Sequence, residues 1–418
     1  MGKRIAITGL GVISSNGIGK EAFSDALSKG ISGIKPISLF DTGPFKVKTA
    51  GEIKGFKPEE FLGPKGLRTL DRSTKLVCSA VKLALDDAHL EINAENPKEF
   101  GVVVGNTLGS LHSICDFDIS SLKEGPRYVN PALFSNTVIN SAASQVSLKF
   151  NIRGFNVTIS TGFTASLDAV NYAVDSLKLG KAKIVLAGGV EELCLETYLG
   201  FYKTGFLAGL NGNGLELSCP FDKRRNGVIL GEGAGILVLE DLDSAIKRQA
   251  NIYAEVLGFG MGFEPYRIDK YSRRPDGLTR SMRLAMQHAS LKNEDIDYIS
   301  SAANSTVSAD LMETRAIKEV FGALAQNLKI SAVKSMLGEC FSAAGALQAA
   351  AAVMALEKQV VPPTINYQQK DEACDLNYVV NKTISCKMDN VLINACGPSG
   401  CNSSLIISKF KGKPEDGF

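Results

Sequence analysis

Short apolar runs alternate with amphipathic stretches along the whole chain, an arrangement that predicts an α/β protein. Apolar runs of strand length fall at 4–8, 100–104, 156–160, 184–187 and 236–239. They recur at 252–259, 298–302, 329–333, 377–381 and 391–395. Between them, apolar positions at helical spacing predict helices over 20–29, 74–88, 165–178, 278–289, 309–321 and 344–356. Asn226-Gly227 reads as a tight turn into a strand that carries Gly231, Gly233 and Gly235. Glycine inside a strand marks the close approach of another backbone or side chain. Two segments echo each other. Val157 to Ser166 reads as a strand, a tight turn and a helix of small residues, and Ile330 to Ser335 followed by Ser342 to Ala346 repeats that unit. Small residues on both helices predict that the two pack closely at the centre of the molecule.

Composition narrows the class. Hydrophobic residues are 44% and charged residues 22% of the 418, the balance of an ordinary globular protein. Lys plus Arg number 46 against 44 Asp plus Glu, a net charge of +2. That is too even for a nucleic-acid binder, which needs a dense basic face. Nine cysteines lie scattered without CxxC spacing, which argues against a disulfide framework and for a reducing compartment. The three histidines, His89, His112 and His288, are isolated, so no metal site is expected. The apolar start, residues 5–13, is broken by Gly9 and Gly11 and reads as a first strand rather than a signal peptide. The Ala-rich stretch 343–356 is too weakly hydrophobic to span a bilayer. A cytoplasmic protein without membrane contact is expected. Gly9-Leu10-Gly11 is no dinucleotide fingerprint, because Ser14 holds the third glycine position.

The chain resembles the β-ketoacyl-acyl-carrier-protein synthases of the thiolase superfamily over about residues 3–410. The motifs that carry the resemblance are Ile7-Thr8-Gly9-Leu10-Gly11, Pro220-Phe221-Asp222 and Gly231-Glu232-Gly233-Ala234-Gly235. Further on come Asp310 with Glu313, Lys334-Ser335-Met336-Leu337-Gly338, Ala343-Ala344-Gly345 and Val361-Pro362-Pro363-Thr364-Ile365-Asn366. The resemblance implies a five-layered αβαβα fold of two duplicated halves, here 1–251 and 252–411 with a polar tail at 412–418. It also implies a two-fold dimer and calls for no cofactor.

In that family a cysteine at a strand-to-helix turn is activated by the helix N-terminus and takes the acyl chain as a thioester. Two histidines polarise the malonyl thioester, and two backbone N–H groups form an oxyanion hole. Matched position by position, Phe163 stands at the nucleophile, Ala302 at the first histidine and Glu339 at the second. Pro398 stands at the second oxyanion donor and has no N–H to give. Loss of one such donor costs roughly 3–4 kcal/mol of barrier in hydrolases. Lys334 and Glu313 are kept.

The expectation is a catalytically silent subunit resembling a chain-length factor, paired with an active synthase subunit and served by an acyl carrier protein. In heterodimeric polyketide synthases the inactive sister uses the segment matching 106–115 to set chain length, so Leu108, His112, Cys115 and Asp116 are candidate tunnel and interface residues. Lys65, Arg68 and Arg127 match basic positions that meet the acidic carrier. Two alternatives stay open. One is an enzyme that uses a displaced thiol such as Cys340, Cys396 or Cys401, or a turn hydroxyl of Thr161 or Thr164. The other is a homodimeric acyl- or carrier-protein-binding module.

Overall fold

The computed structural model describes residues 3–211, 214–267, 270–272 and 274–412. Met1, Gly2 and the tail from 413 to 418 lie outside the described residues. Ten strands build the main sheet. They are β1 (Ile5–Ser14), β2 (Phe100–Gly105), β3 (Asn156–Ile159), β4 (Ile184–Glu191), β5 (Gly233–Asp241), β6 (Ala254–Phe263), β7 (Tyr298–Ser300), β8 (Lys329–Ser331), β9 (Asn390–Cys396) and β10 (Cys401–Lys409). A two-residue strand, Gly17–Ile18, folds back on β1. The principal helices are α1 (Lys20–Ser28), α2 (Arg72–Asp87), α3 (Leu111–Glu124), α4 (Ser141–Phe150), α5 (Ala165–Lys178), α6 (Leu195–Lys203), α7 (Asp276–Ala289), α8 (Val307–Phe321) and α9 (Ala344–Lys358).

The sheet order is β8-β7-β9-β10-β6-β1-β5-β4-β2-β3. From the central pair outward, β1-β5-β4-β2-β3 mirrors β6-β10-β9-β7-β8 strand for strand. Directions match as well. β2 runs parallel to β3 and β4, and β7 runs parallel to β8 and β9. In both halves the remaining contacts are antiparallel. The two halves join where β1 pairs with β6 through Ile5↔Val256 and Ile7↔Ala254. Helices complete a five-layered, thiolase-like arrangement. α2 and α4 cover one outer face, α5 and α9 fill the middle, and α7 and α8 cover the other outer face.

The middle layer explains the small residues. Every residue from Ala344 to Leu356 is buried, so α9 can present only side chains that let its neighbours come close. A Cβ at Gly345 would meet Leu167 Cγ at 2.7 Å, and Ser166 Oγ accepts from Ala346 N at 2.9 Å. A Cβ at Gly235 in β5 would meet Ala346 Cβ at 2.9 Å, the close approach that the glycine-rich strand predicts. Asp71 caps α2 by accepting from Thr74 N, and Thr306 caps α8 by accepting from Ala309 N.

One expectation fails. No strand forms at 377–381; Tyr378 and Val380 make only isolated bridges to Ile330 and Thr364. That segment touches β8 beside Ile330 through a single parallel bridge and does not continue as a ladder. β10 has no counterpart among the predicted strands, because its Ser403-Ser404 start masks the apolar run that follows. Helices α3, α4 and α6 are also absent from the predicted set. α3 has no buried residue and so leaves no apolar stripe in the sequence.

Candidate functional site

Phe163 sits where β3 turns into α5. Gly162 takes a left-handed φ of 75°, and a single 3₁₀ turn, Gly162–Thr164, leads directly into the helix. A side chain placed there stands at the N-terminus of a buried helix, the position that depresses the pKa of a thiol. Here it is a phenyl ring, 8% exposed. It packs edge-on against Phe341, with ring centroids 5.2 Å apart and planes at 76°. Phe341 meets Phe201 at 4.9 Å, and Phe201 meets Phe206 at 6.0 Å. Phe163, Phe341 and Phe201 belong to an apolar cluster with Leu193, Tyr198, Val228 and Leu230. Burying one such ring contributes about 1.5–3 kcal/mol. The glycine-rich loop presses on the same ring, since a Cβ at Gly397 would meet Phe163 Cβ at 3.3 Å. Pro398 follows in that loop, half-buried.

Below the ring lies a closed polar cage. Lys334 Nζ donates to Glu339 Oε2 at 2.9 Å and to the carbonyl of Ala302 at 3.1 Å. Glu339 also accepts from Asn304 Nδ2 at 3.0 Å and from Phe341 N at 3.2 Å. Asn304 Nδ2 reaches the buried Tyr271 hydroxyl at 3.1 Å. Glu313 accepts from Ser301 Oγ at 2.5 Å, Ala302 N at 3.0 Å and Asn394 Nδ2 at 3.0 Å. Lys334 and Glu339 are almost wholly buried. Burial lowers the Lys334 pKa, but the Glu339 charge and hydrogen bond outweigh it and hold the ammonium above its ordinary value. Burial pushes Glu313 upward and Asp310 to about 6. A buried charge pair survives only with such completion, because each ion alone would cost several kcal/mol. The cage satisfies itself.

The structure therefore brings together Phe163, Ala302, Glu313, Lys334, Glu339 and Pro398. No imidazole joins them. His89 ends α2, His112 lies exposed on α3, and His288 lines a surface groove. All nine cysteines are free thiols, and burial pushes each one upward. Cys340 is wholly buried beside Glu339 and donates to the Glu232 carbonyl at 3.5 Å. Thr161 and Thr164 both donate to Asp168, at 2.8 Å for Thr164, so the turn hydroxyls are engaged in holding the helix start. Among the described residues no cluster of His, Cys, Asp or Glu is arranged to hold a metal, and no helix is long and apolar enough to cross a membrane.

Leu108 lies half-buried at the lip of the site and donates its N–H to Glu191 at 3.2 Å. His112 bridges Glu196 at 3.1 Å and Asp116 at 3.4 Å, tying α3 to α6. Cys115 is half-buried on the same helix. On α3 Leu122 is 86% exposed, and Phe134, which packs against Phe117 of that helix, is 59% exposed. Lys65, Arg68 and Arg127 are exposed outside the cage. The sequence reading missed Phe341, Phe201, Asn304 and Tyr271. Phe341 could have been found as the ring two residues after Glu339; the others come together only in three dimensions. It also missed a cleft of about 730 Å³ lined by Thr204, Phe206, Asn226, Lys270, Thr306 and Arg315. The ring series Phe206, Phe201, Phe341, Phe163 runs inward from the wall of that cleft.

The sheet order, the paired inner helices and the turn at Phe163 define a ketosynthase-type thiolase fold. The family models agree: residues 2–245 match the β-ketoacyl synthase N-terminal domain and residues 253–368 match the C-terminal domain. The chain belongs to the β-ketoacyl synthase family. It is 36% identical over 408 residues to 3-oxoacyl-[acyl-carrier-protein] synthase 2 of Coxiella burnetii, covering 97% of this chain and 99% of that protein. The synthase 2 of Synechocystis is 35% identical, covering 98% and 99%. Among solved structures, the ishigamide ketosynthase/chain length factor superposes with a TM-score of 0.92 at 34% identity, covering 98% of this chain and all of that one. A type II polyketide acyl-carrier protein in complex with its ketosynthase gives 0.88 at 29% identity, with the same coverage.

Proposed function

We propose that this chain is a non-catalytic partner subunit of an active β-ketoacyl-acyl-carrier-protein synthase, resembling a chain-length factor, in fatty acid or polyketide-type chain elongation. One observation carries the reading: the side chain at the start of α5 is Phe163, seated in an aromatic cluster and capped by Gly397. A phenyl ring forms no thioester, and it occupies the space where acyl carbons would begin. The cage beneath supports the same reading, since Ala302 and Glu339 offer no imidazole and the charges close on one another. Likeness to a ketosynthase/chain length factor structure fits a heterodimer, and likeness to a ketosynthase bound to its carrier fits an acyl carrier protein as further partner. Lys65, Arg68 and Arg127 are the residues through which this chain would meet that carrier. An enzyme built on a displaced thiol is disfavoured, because every thiol is pushed toward its protonated form.

Affinity capture of the chain from its native cells, with mass spectrometry of what comes with it, tests the proposal. A synthase carrying an intact cysteine and two histidines should be recovered in equal amount. Recovery of this chain only with itself would leave a homodimeric binding module in its place.

A further inference from the structure

Glu191 and Glu192, at the end of β4, lie outside the cage and are 0% and 4% exposed. Glu191 joins three parts of the molecule. Its Oε1 accepts from Leu108 N at 3.2 Å, and its Oε2 accepts from Ser342 Oγ at 2.6 Å, next to Phe341. The same lip segment, 106–110, is also held by Thr107 Oγ1 donating to the Gly162 carbonyl at 2.9 Å and by Ser110 Oγ donating to Asp71. Glu192 is less well served. Its Oε2 accepts from Ser73 N at 3.0 Å, and its buried Oε1 has no partner.

The charged surroundings are lopsided. Asp71 caps α2, Glu232 precedes β5, and Arg72 binds Glu232 through Nε at 2.7 Å and Nη2 at 2.5 Å. Glu52 lies beyond Arg72 and pairs with Lys54 at 3.1 Å. The neighbouring thiols of Cys194 and Cys340 stay neutral, their pKa values raised by burial. The guanidinium is thus given to Glu232 and the Lys54 ammonium to Glu52, while Asp71, Glu191 and Glu192 share their space without a cation bound to them. Leaving an ionised carboxylate oxygen dry is costly, whereas a neutral carboxyl is tolerated.

We propose that Glu191 and Glu192 form a proton-operated latch on the 106–110 segment. While Glu192 is neutral the segment stays fastened to the Phe163 and Phe341 turns; when both acids ionise, their repulsion loosens it. Burial pushes Glu191 to about 7, and burial with the Asp71 charge pushes Glu192 to about 8. The folded chain therefore binds more protons than the unfolded chain above the ordinary carboxylate range. The stability contributed by these two acids falls as pH rises toward about 8 and is exhausted there. The latch belongs to this chain alone and stands apart from the partner-subunit reading.

Hydrogen exchange of the 106–110 amides from about pH 6 to about pH 9, corrected for intrinsic rates, tests it. The wild-type chain should lose protection by at least about tenfold, the factor carried by one pKa unit. Glu192→Gln, which cannot ionise, should keep its protection. Parallel behaviour of the two proteins, or no change in either, overturns the latch. Infrared titration of the wild-type chain provides a readout independent of the variant. A protonated-carboxyl band present at neutral pH and lost near pH 8 supports the proposal, and its absence at neutral pH defeats it.

Discussion

The two halves of the molecule repeat one unit, and they have diverged at the place where the repeats meet. In the first half, β3 leads through Gly162–Thr164 into α5; in the second, β8 leads through Lys334–Leu337 and Phe341–Ala343 into α9. Each turn carries a phenylalanine, and the two rings pack edge to face with centroids 5.2 Å apart. The first turn reaches its left-handed conformation with a glycine, at φ 75°. The second forces Phe341 itself to φ 48°, a conformation costing about 1–3 kcal/mol for a residue with a Cβ. Both rings lie in one apolar cluster, but the segment leading to the second turn also carries the buried Lys334–Glu339 ion pair. The scaffold is repeated, while a phenyl ring stands at the start of one central helix and a closed charged cage lies before the other.

Breaking the cage should have the largest effect. Glu339→Ala leaves the Lys334 ammonium buried with only a carbonyl partner, and about 3–5 kcal/mol of stability should be lost in urea titration. Removing both charges with Lys334→Met and Glu339→Leu should cost far less. If the double variant is as unstable as the single one, the cage matters for its shape rather than its charge balance.

On the apolar side, Phe163→Ala should cost about 3–5 kcal/mol, the range for emptying a buried aromatic position. A loss below about 1 kcal/mol would mean that the ring lies against the cluster without filling it. Where the two repeats touch, Gly345→Val should cost about 1–3 kcal/mol in thermal unfolding, because Leu167 and Ser166 leave no room for a branched side chain. At the exposed end, His112→Ala should change stability by less than about 1 kcal/mol, as exposed ion pairs contribute little. Its expected effect is on product length in the assembled pair, read by mass spectrometry. Unchanged products would remove His112 from the gating role.

Much of this arrangement is legible in the sequence. The apolar runs at 100–104 and 184–187, and the helix at 165–178, follow from local periodicity. The small residues at Gly345 and Gly235 announced close packing. Phe163, Ala302, Glu339 and Pro398 could be matched because each sits within a motif whose neighbours are kept. What stayed hidden depends on distant partners. The Lys334–Glu339 pair is readable as a spacing of five residues, but its completion by Asn304 and Tyr271 is not. β10 and α3 were missed for a related reason: a serine-rich strand start and a helix without a buried face carry no periodic signal.

The most direct measurement is a condensation and decarboxylation assay on the purified chain alone, supplied with acyl- and malonyl-loaded carrier protein. No turnover above a protein-free control is expected, and no covalent acyl adduct by mass spectrometry. Turnover that disappears on replacing one cysteine by alanine would contradict it, and would identify this chain as an enzyme with a relocated nucleophile.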